Sequence, residues 1–301
     1  MGYRNLYITN PARLSVTSGQ LIVSDEDREI RIPIEDLDAV VLENMQSTVS
    51  VALLTWLASN KVAVFICDEK HLPAAVFLPY SQHSRQLRAE KLQLNAKKSI
   101  KKRLWQEIIK RKVKNQAIVL QHFGEEDTAT TLESLASKVS SGDKENIEAQ
   151  AAQKYFSALF GSEFSRREED FINSALNYGY AIIRGAITRS IASHGLIASL
   201  GIHHKNELNG YNLADDFIEP FRPIVDLYVL YHFDETNSEL TIEHKAELLN
   251  LLNLDVSIDG KLFSMSSAIE LQVESFIKSL EQEQSKIILP KITKPNSHRY
   301  G

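Results

Sequence analysis

Near Arg88 the hydrophobic period of this chain changes from two to about 3.6, and this change constrains its fold more than any other feature. Before it, LSVTSGQLIV and REIRIPI alternate β-branched and polar residues on either side of the charged turn SDED. DAVVLEN and KVAVFICD are short continuous apolar runs of the kind that forms buried strands. Between them, STVSVALLTWLASN reads as a short helix. Ser47 or Thr48 is its expected N-cap, with Val51, Leu54 and Leu57 at helical spacing. AAVFLP is a last strand, Pro79 closes the β-rich region, and YSQHSRQ is a polar connector.

After Arg88, long helical patterns take over. KSIKKRLWQEIIKRKVKNQAIVLQHF carries apolar residues at Ile100, Leu104 and Ile108, then Val113, Ile118 and Leu120. TTLESLASKVSSGD is a shorter helix closed near Gly142. NIEAQAAQKYFSALFG ends at Gly161, and EEDFINSALNYGYAIIRGAITRSIASHG stops at Gly195. AELLNLLNLDV and SMSSAIELQVESFIKSLEQEQSK complete the helical part, with no strand-like alternation. The basic tail KITKPNSHRYG is expected to be flexible in isolation. The expected fold class is α+β. A small N-terminal β-sandwich-like domain covers 1–80, a linker covers 81–90, and a larger all-α domain covers 91–301.

Hydrophobic residues make up 43% and charged residues 24%, which is ample for a globular core. The single cysteine, Cys67, excludes an intrachain disulfide and a thiolate zinc site, so a reducing, cytoplasmic setting is expected. MGYRNLYITNPARL has no apolar signal core, and STVSVALLTWLASN is too short to span a bilayer, so no membrane is expected. The net charge is −5, but it is unevenly spread. From Arg85 to Lys114 there are twelve Lys or Arg and two acids, a local +10. Such segregation is either a footprint for a polyanion or a solvated basic helix face.

GIHHKNELNGYNLADDFIEPFRP sets His203 and His204 ahead of Asp215, Asp216 and Glu219. A helix opening after Asn212 places Asp215 and Glu219, or Asp216 and Glu219, on one face, where like charges repel and a cation would relieve the cost. A helix-borne Glu148 among Ala149, Ala151 and Ala152 would let another helix or a DNA backbone approach closely. A His-and-carboxylate site without thiolates suits Mg²⁺ or Mn²⁺, with Mn²⁺ the more tolerant of imidazole. On spacing alone the stretch also reads as a polar loop entering a helix, with Asp215 complementing the helix dipole. A lone Glu in a helix is by default a solvated residue.

At these residues the sequence resembles the first CRISPR-associated (Cas) protein family, the spacer-acquisition integrases, in the branch found beside type II effector nucleases. The resemblance covers the whole chain. IEAQAAQKYF, INSALNYGYAIIRGAITRSIASHGL, LGIHH and LADDFIEPFRP carry it, and N-terminal RNLYI and PARLS fit as well. It implies the same division into a β domain and a helical domain. It also implies a catalytic metal site formed by the Glu of E-x-x-x-x-x-x-Y-F, the His of G-x-x-H and the acid of D-x-x-E-x-F-R-P. Here those are Glu148, His204 and Glu219, with Asp216 a neighbouring acid that is either a ligand or its support. His203 is the alternative histidine, since the pair is doubled here.

The implied reaction is attack of a DNA fragment's 3′-hydroxyl on a backbone phosphate at the edge of a CRISPR repeat, assisted by Mg²⁺ or Mn²⁺. It is a metal-dependent endonuclease and integrase activity, within the hydrolase class EC 3.1. The implied assembly is a heterohexamer in a bacterial cytoplasm, in which two homodimers flank a dimer of the small second Cas protein. The N-terminal β domain would serve dimerisation and partner contacts. Incoming double-stranded DNA and the repeat are further partners, and the type II effector nuclease is a candidate. Arg85, Arg88, Lys97, Lys98, Lys101 and Lys102 would then contact DNA phosphates without reading sequence. Tyr155, Asn173, Asn177 and Tyr178 either line the catalytic pocket or pack helices. A stand-alone nuclease on branched DNA and a non-catalytic DNA-binding scaffold are the rival readings.

Overall fold

The computed structural model describes residues 4–298 apart from 26–27, 70–72, 78–84, 167, 169 and 234–238. The Glu26–Asp27 turn, the stop at Pro79 and connector residues 80–84 lie outside the described residues. The N-terminal part holds β1 (Arg4–Ile8), β2 (Arg13–Thr17), β3 (Gln20–Ser24), β4 (Glu29–Pro33), β5 (Leu37–Leu42), β6 (Thr48–Val49), α1 (Val51–Ser59), β7 (Ala63–Cys67) and β8 (Pro73–Phe77). They form two sheets, ordered β1-β5-β7-β8 and β4-β3-β2-β6. The first is parallel from β1 through β7 and turns antiparallel at β8. The helix between β5 and β7 is therefore a parallel crossover. It is capped by Ser50, whose side chain accepts from Leu53 N–H, and not by Ser47 or Thr48; Thr48 is already paired in β6.

The β1-β5-β7 sheet is buried on both faces, which explains its unbroken apolar strands. Val40 and Val64 face the N-terminal core with Leu53 and Leu57 of α1. Ala39, Val41, Ala63 and Phe65 belong instead to the large core shared with the helices.

The helical part comprises α2 (Gln86–Leu94), α3 (Lys98–His122), α4 (Glu126–Lys138), α5 (Ile147–Phe160), α6 (Phe171–Ser193), α7 (Asn212–Ile218), α8 (Arg222–His232), α9 (Ile242–Leu248) and α10 (Met265–Gln282). α2 starts inside the stretch expected to be linker. α6 presses against the sheet: a Cβ built on Gly185 would stand 2.0 Å from Phe65 Cε1. Arg189 of α6, 4% exposed, donates to Asp38 Oδ1 of β5 at 3.1 Å and to the Lys61 carbonyl at 3.1 Å. Among the described residues no helix is long and apolar enough to cross a membrane.

The strand-rich and helical division expected from the sequence is present, with one addition. The helical part carries an antiparallel sheet of β9 (Leu254–Ile258), β10 (Lys261–Ser264) and β11 (Lys291–Ser297), ordered β10-β9-β11. LDVSI alternates inward Leu254, Val256 and Ile258, a period hidden by the leucine-rich helical run before it. The tail is thus not free: Lys291–Ser297 pairs with β9, and Ile292 is buried. Asn115 of α3 secures its entry, donating to the Pro290 carbonyl at 3.1 Å and accepting from Ile292 N–H at 3.3 Å.

Candidate metal centre

One face of α3 organises the site. Trp105 and Lys112 are two helical turns apart on it. The Trp105 indole stacks on the His203 ring, with centroids 4.1 Å apart and planes 4° from parallel, and meets the His204 ring edge-on at 5.7 Å. Lys112 Nζ lies 2.6 Å from Glu148 Oε1 and 2.5 Å from Glu219 Oε2. Two carboxylates from segments 71 residues apart therefore converge on one cationic atom.

Glu148 stands in the first turn of α5. Asn146 enters that helix in the left-handed region, at φ 53°, and Asp143 supplies the cap. Its two oxygens accept from Ile147 N–H at 2.9 Å and Glu148 N–H at 3.0 Å. Glu219 continues the turn beyond α7, at φ −52° and ψ −44°, before Pro220. Arg222, one turn on, donates its Nε–H to Glu219 Oε1 at 2.9 Å. Glu219 is 4% exposed, and its Oε2 is buried with Lys112 at ion-pair distance but no well-angled hydrogen bond. Burial pushes the Glu219 carboxyl up, but Lys112 and Arg222 outweigh it and bring it down to about 2.

Asp216 holds the histidine loop. It is fully buried and accepts from the N–H groups of Ile202 at 2.6 Å, His203 at 3.1 Å and His204 at 3.0 Å. Its Oδ1 also lies 2.8 Å from His204 Nδ1. That hydrogen bond raises the His204 pKa and assigns the proton to Nδ1, so Nε2 is the nitrogen left for a ligand. Burial lowers the His203 pKa. Gly201 permits this closeness: a Cβ there would meet the His204 carbonyl oxygen at 2.4 Å and Asp216 Oδ2 at 2.7 Å.

Of the three expected ligands, then, Glu148 and Glu219 are brought together, while the His204 ring is held against Asp216. Among the described residues no three His, Cys, Asp or Glu side chains stand close enough to share an ion. The pieces nonetheless fit one. Two carboxylates already enclose a cation, Glu219 Oε2 is a buried oxygen without a proper donor, and an oxygen-plus-imidazole set suits Mg²⁺ or Mn²⁺. The Asp216 oxygens are committed to the loop. Asp215 is paired with Arg184, Nε to Oδ1 at 2.6 Å.

The pocket candidates disperse. Tyr155 donates to Asp226 Oδ2 at 2.9 Å, and Tyr180 donates to the other oxygen of that carboxylate. Burial pushes Asp226 up to about 6, against the two phenols. Tyr178 faces Tyr7 of β1, and Asn173 and Asn177 both accept from Arg166. Among the basic candidates, Arg88 pairs with Glu281 at 2.8 Å and Lys97 with Glu283 at 2.6 Å, both on exposed ground. Burial and Lys205 lower the Lys101 pKa, and Lys102 packs beneath Gly142. On another flank of α3, Lys110, Arg111 and Lys114 join Lys286, Glu107 and Asp259 around a cavity of about 330 Å³.

Sequence reasoning missed Trp105, Lys112, Arg222 and Asp226. Lys112 had a readable signal: the apolar stripe of α3 passes from Ile108 to Val113 and skips the position four residues after Ile108, where a lysine stands.

The chain matches the family described as CRISPR associated protein Cas1 over residues 6–249. It is 40% identical over 303 residues to the CRISPR-associated endonuclease Cas1 of Neisseria meningitidis serogroup C (strain 8013), covering 100% of both chains. A casposase bound to integration product shares its fold with a TM-score of 0.75 at 22% identity, over 100% of this chain and 96% of that one. A chain of a Cas6-RT-Cas1–Cas2 complex matches with a TM-score of 0.69 at 19% identity, over 94% of this chain and 35% of that one. By the family match and by its full-length likeness to the Neisseria endonuclease, the chain belongs to the CRISPR-associated protein Cas1 family.

Proposed function

We propose that the protein joins the 3′-hydroxyl ends of short DNA fragments to a backbone phosphate at the edge of a CRISPR repeat. The convergence of Glu148 and Glu219 on one cationic atom carries this reading. Glu148, Glu219 and His204, through Nε2, would hold Mg²⁺ or Mn²⁺. Such an ion, when bound, polarises the phosphate and acidifies the attacking hydroxyl. Asp216 fixes the imidazole tautomer and Trp105 stacks on the adjoining His203, so the histidine loop is held in place. Arg222 and Lys112 offer positive charge beside the carboxylates for a phosphodiester.

DNA would be held by Arg85, Lys98 and the cations of α3 through phosphate contacts, without sequence readout. The solved Cas6-RT-Cas1–Cas2 complex supports the small second Cas protein as a partner; in this reading a dimer of that protein is flanked by two homodimers of this chain. A bacterial cytoplasmic setting completes the reading.

The test is a joining assay with a supercoiled repeat-bearing plasmid, short DNA duplexes and Mn²⁺. Strand-transfer products that vanish in Glu148→Ala and Glu219→Ala are expected. Cleavage without joined products would instead identify a branched-DNA nuclease. One observation favours a second reading, a non-catalytic scaffold: Lys112 stands at ion-pair distance from both glutamates, as in a structural ion pair. In that case both alanine variants keep the wild-type level of joining.

A further inference from the structure

Lys112 has an unusual place. It is 7% exposed, it sits on the inward stripe of α3, and its Nζ bridges Glu148 and Glu219 at 2.6 and 2.5 Å. With Arg222 on Glu219 Oε1, two cations face two carboxylates, so the cluster, buried at Lys112 and Glu219 and partly exposed at Glu148, is neutral as it stands. Without the Lys112 charge, two carboxylates would face each other with Arg222 on one side only, at a heavy electrostatic cost in a desolvated setting.

A divalent ion needs the same oxygens. It binds carboxylate oxygen at roughly 2.0–2.2 Å, where an ammonium already stands. Metal and ammonium cannot both occupy that point, and their charges repel across it. The lysine stem is flexible, and among the described residues no backbone hydrogen bond holds its Nζ. We propose that Lys112 is a resident counterion which holds Glu148 and Glu219 together until a divalent cation displaces it, so that Lys112 sets the metal concentration the site requires. Metal entry is then an exchange of cations.

This rests on the metal reading of Glu148 and Glu219, and the test separates the two. Mn²⁺ binding to the full chain is measured by titration calorimetry, and melting temperature is recorded with and without Mn²⁺. Glu148→Gln should abolish binding. If it binds Mn²⁺ like wild type, the metal reading falls and this proposal with it. Lys112→Met keeps the length and removes the charge. It should bind Mn²⁺ about tenfold tighter or more, melt lower than wild type without metal, and recover most of the loss with it. Unchanged or weaker affinity in Lys112→Met, alongside lost binding in Glu148→Gln, would overturn the counterion role while leaving the metal site standing. Should Lys112→Met fail to fold, Lys112→Gln is titrated in its place with the same outcomes. Lys112→Arg keeps the charge and should bind no more tightly than wild type; a gain like that of the methionine variant would also overturn the proposal.

Discussion

His204 Nδ1 lies 2.8 Å from Asp216 Oδ1, within a buried carboxylate that also receives the N–H groups of Ile202, His203 and His204. One aspartate thus shapes the loop and aims its imidazole. Asp216→Ala leaves three backbone donors, one of them buried, without their acceptor and should cost on the order of 3 kcal/mol in urea unfolding. Mn²⁺ affinity should fall by about 10–100-fold, as for other supports of metal-binding histidines. Equal stability in the two proteins would contradict the buried network.

The adjacent histidines should separate cleanly. His204→Ala is expected to abolish strand joining while changing stability by about 1 kcal/mol or less. His203→Ala removes the ring stacked on Trp105, costing about 0.5–1.5 kcal/mol, and should retain joining. Joining yield and melting temperature on the same samples decide the matter, and a reversal of the two phenotypes would move the ligand to His203.

Two buried carboxyls give stability opposite dependences on pH. Glu219 falls from 4.5 to about 2 on folding, so its contribution is present above about 4.5 and is lost as pH drops toward 2. Asp226 rises from 3.8 to about 6, so the folded state keeps a proton the unfolded chain has released, and stability declines as pH climbs from about 4 through 6. Urea unfolding from pH 3 to 8 should show Glu219→Gln with a flatter acid limb. Asp226→Asn should lack the decline between pH 4 and 6.

The contact between α6 and the sheet leaves no room at Gly185. Gly185→Ala puts a methyl 2.0 Å from Phe65 Cε1 and should destabilise by about 1–3 kcal/mol or more. Phe65→Leu on that background should recover part of the loss, giving a favourable coupling in a double-mutant cycle. Strictly additive effects would deny the close approach.

Much of this architecture was legible because period is robust. The stripe of α3 and the glycine stops at Gly161 and Gly195 were visible in sequence. β9 was not, because Leu251, Leu252 and Leu254 continue a helical rhythm into the strand, although Asp259 and Gly260 mark the tight turn that pairs it with β10. β11 was hidden by Pro295 and its basic residues. At the candidate site, the motifs single out Glu148, His204 and Glu219, of which the structure brings Glu148 and Glu219 together, whereas Lys112 counts in sequence with the lysines of a basic run. Its burial arises from packing between α3, α5 and α7, and its one local sign is its place in the apolar stripe four residues after Ile108. Tyr155 was singled out, but its partner Asp226 lies 71 residues away in a helix with no distinguishing motif.

Asn115 bears on how the molecule is made. Its amide donates to the Pro220 carbonyl, next to Glu219, and to the Pro290 carbonyl, while its oxygen receives Ile292 N–H. In chain order Asn115 comes first, then Pro220, then Pro290. Until Pro290 and Ile292 are in place, the floor beneath Glu219 has a buried amide waiting for two of its three partners. The support behind Glu219 is therefore complete only once β11 has paired with β9, so assembly of the acidic centre waits on a strand far downstream in sequence.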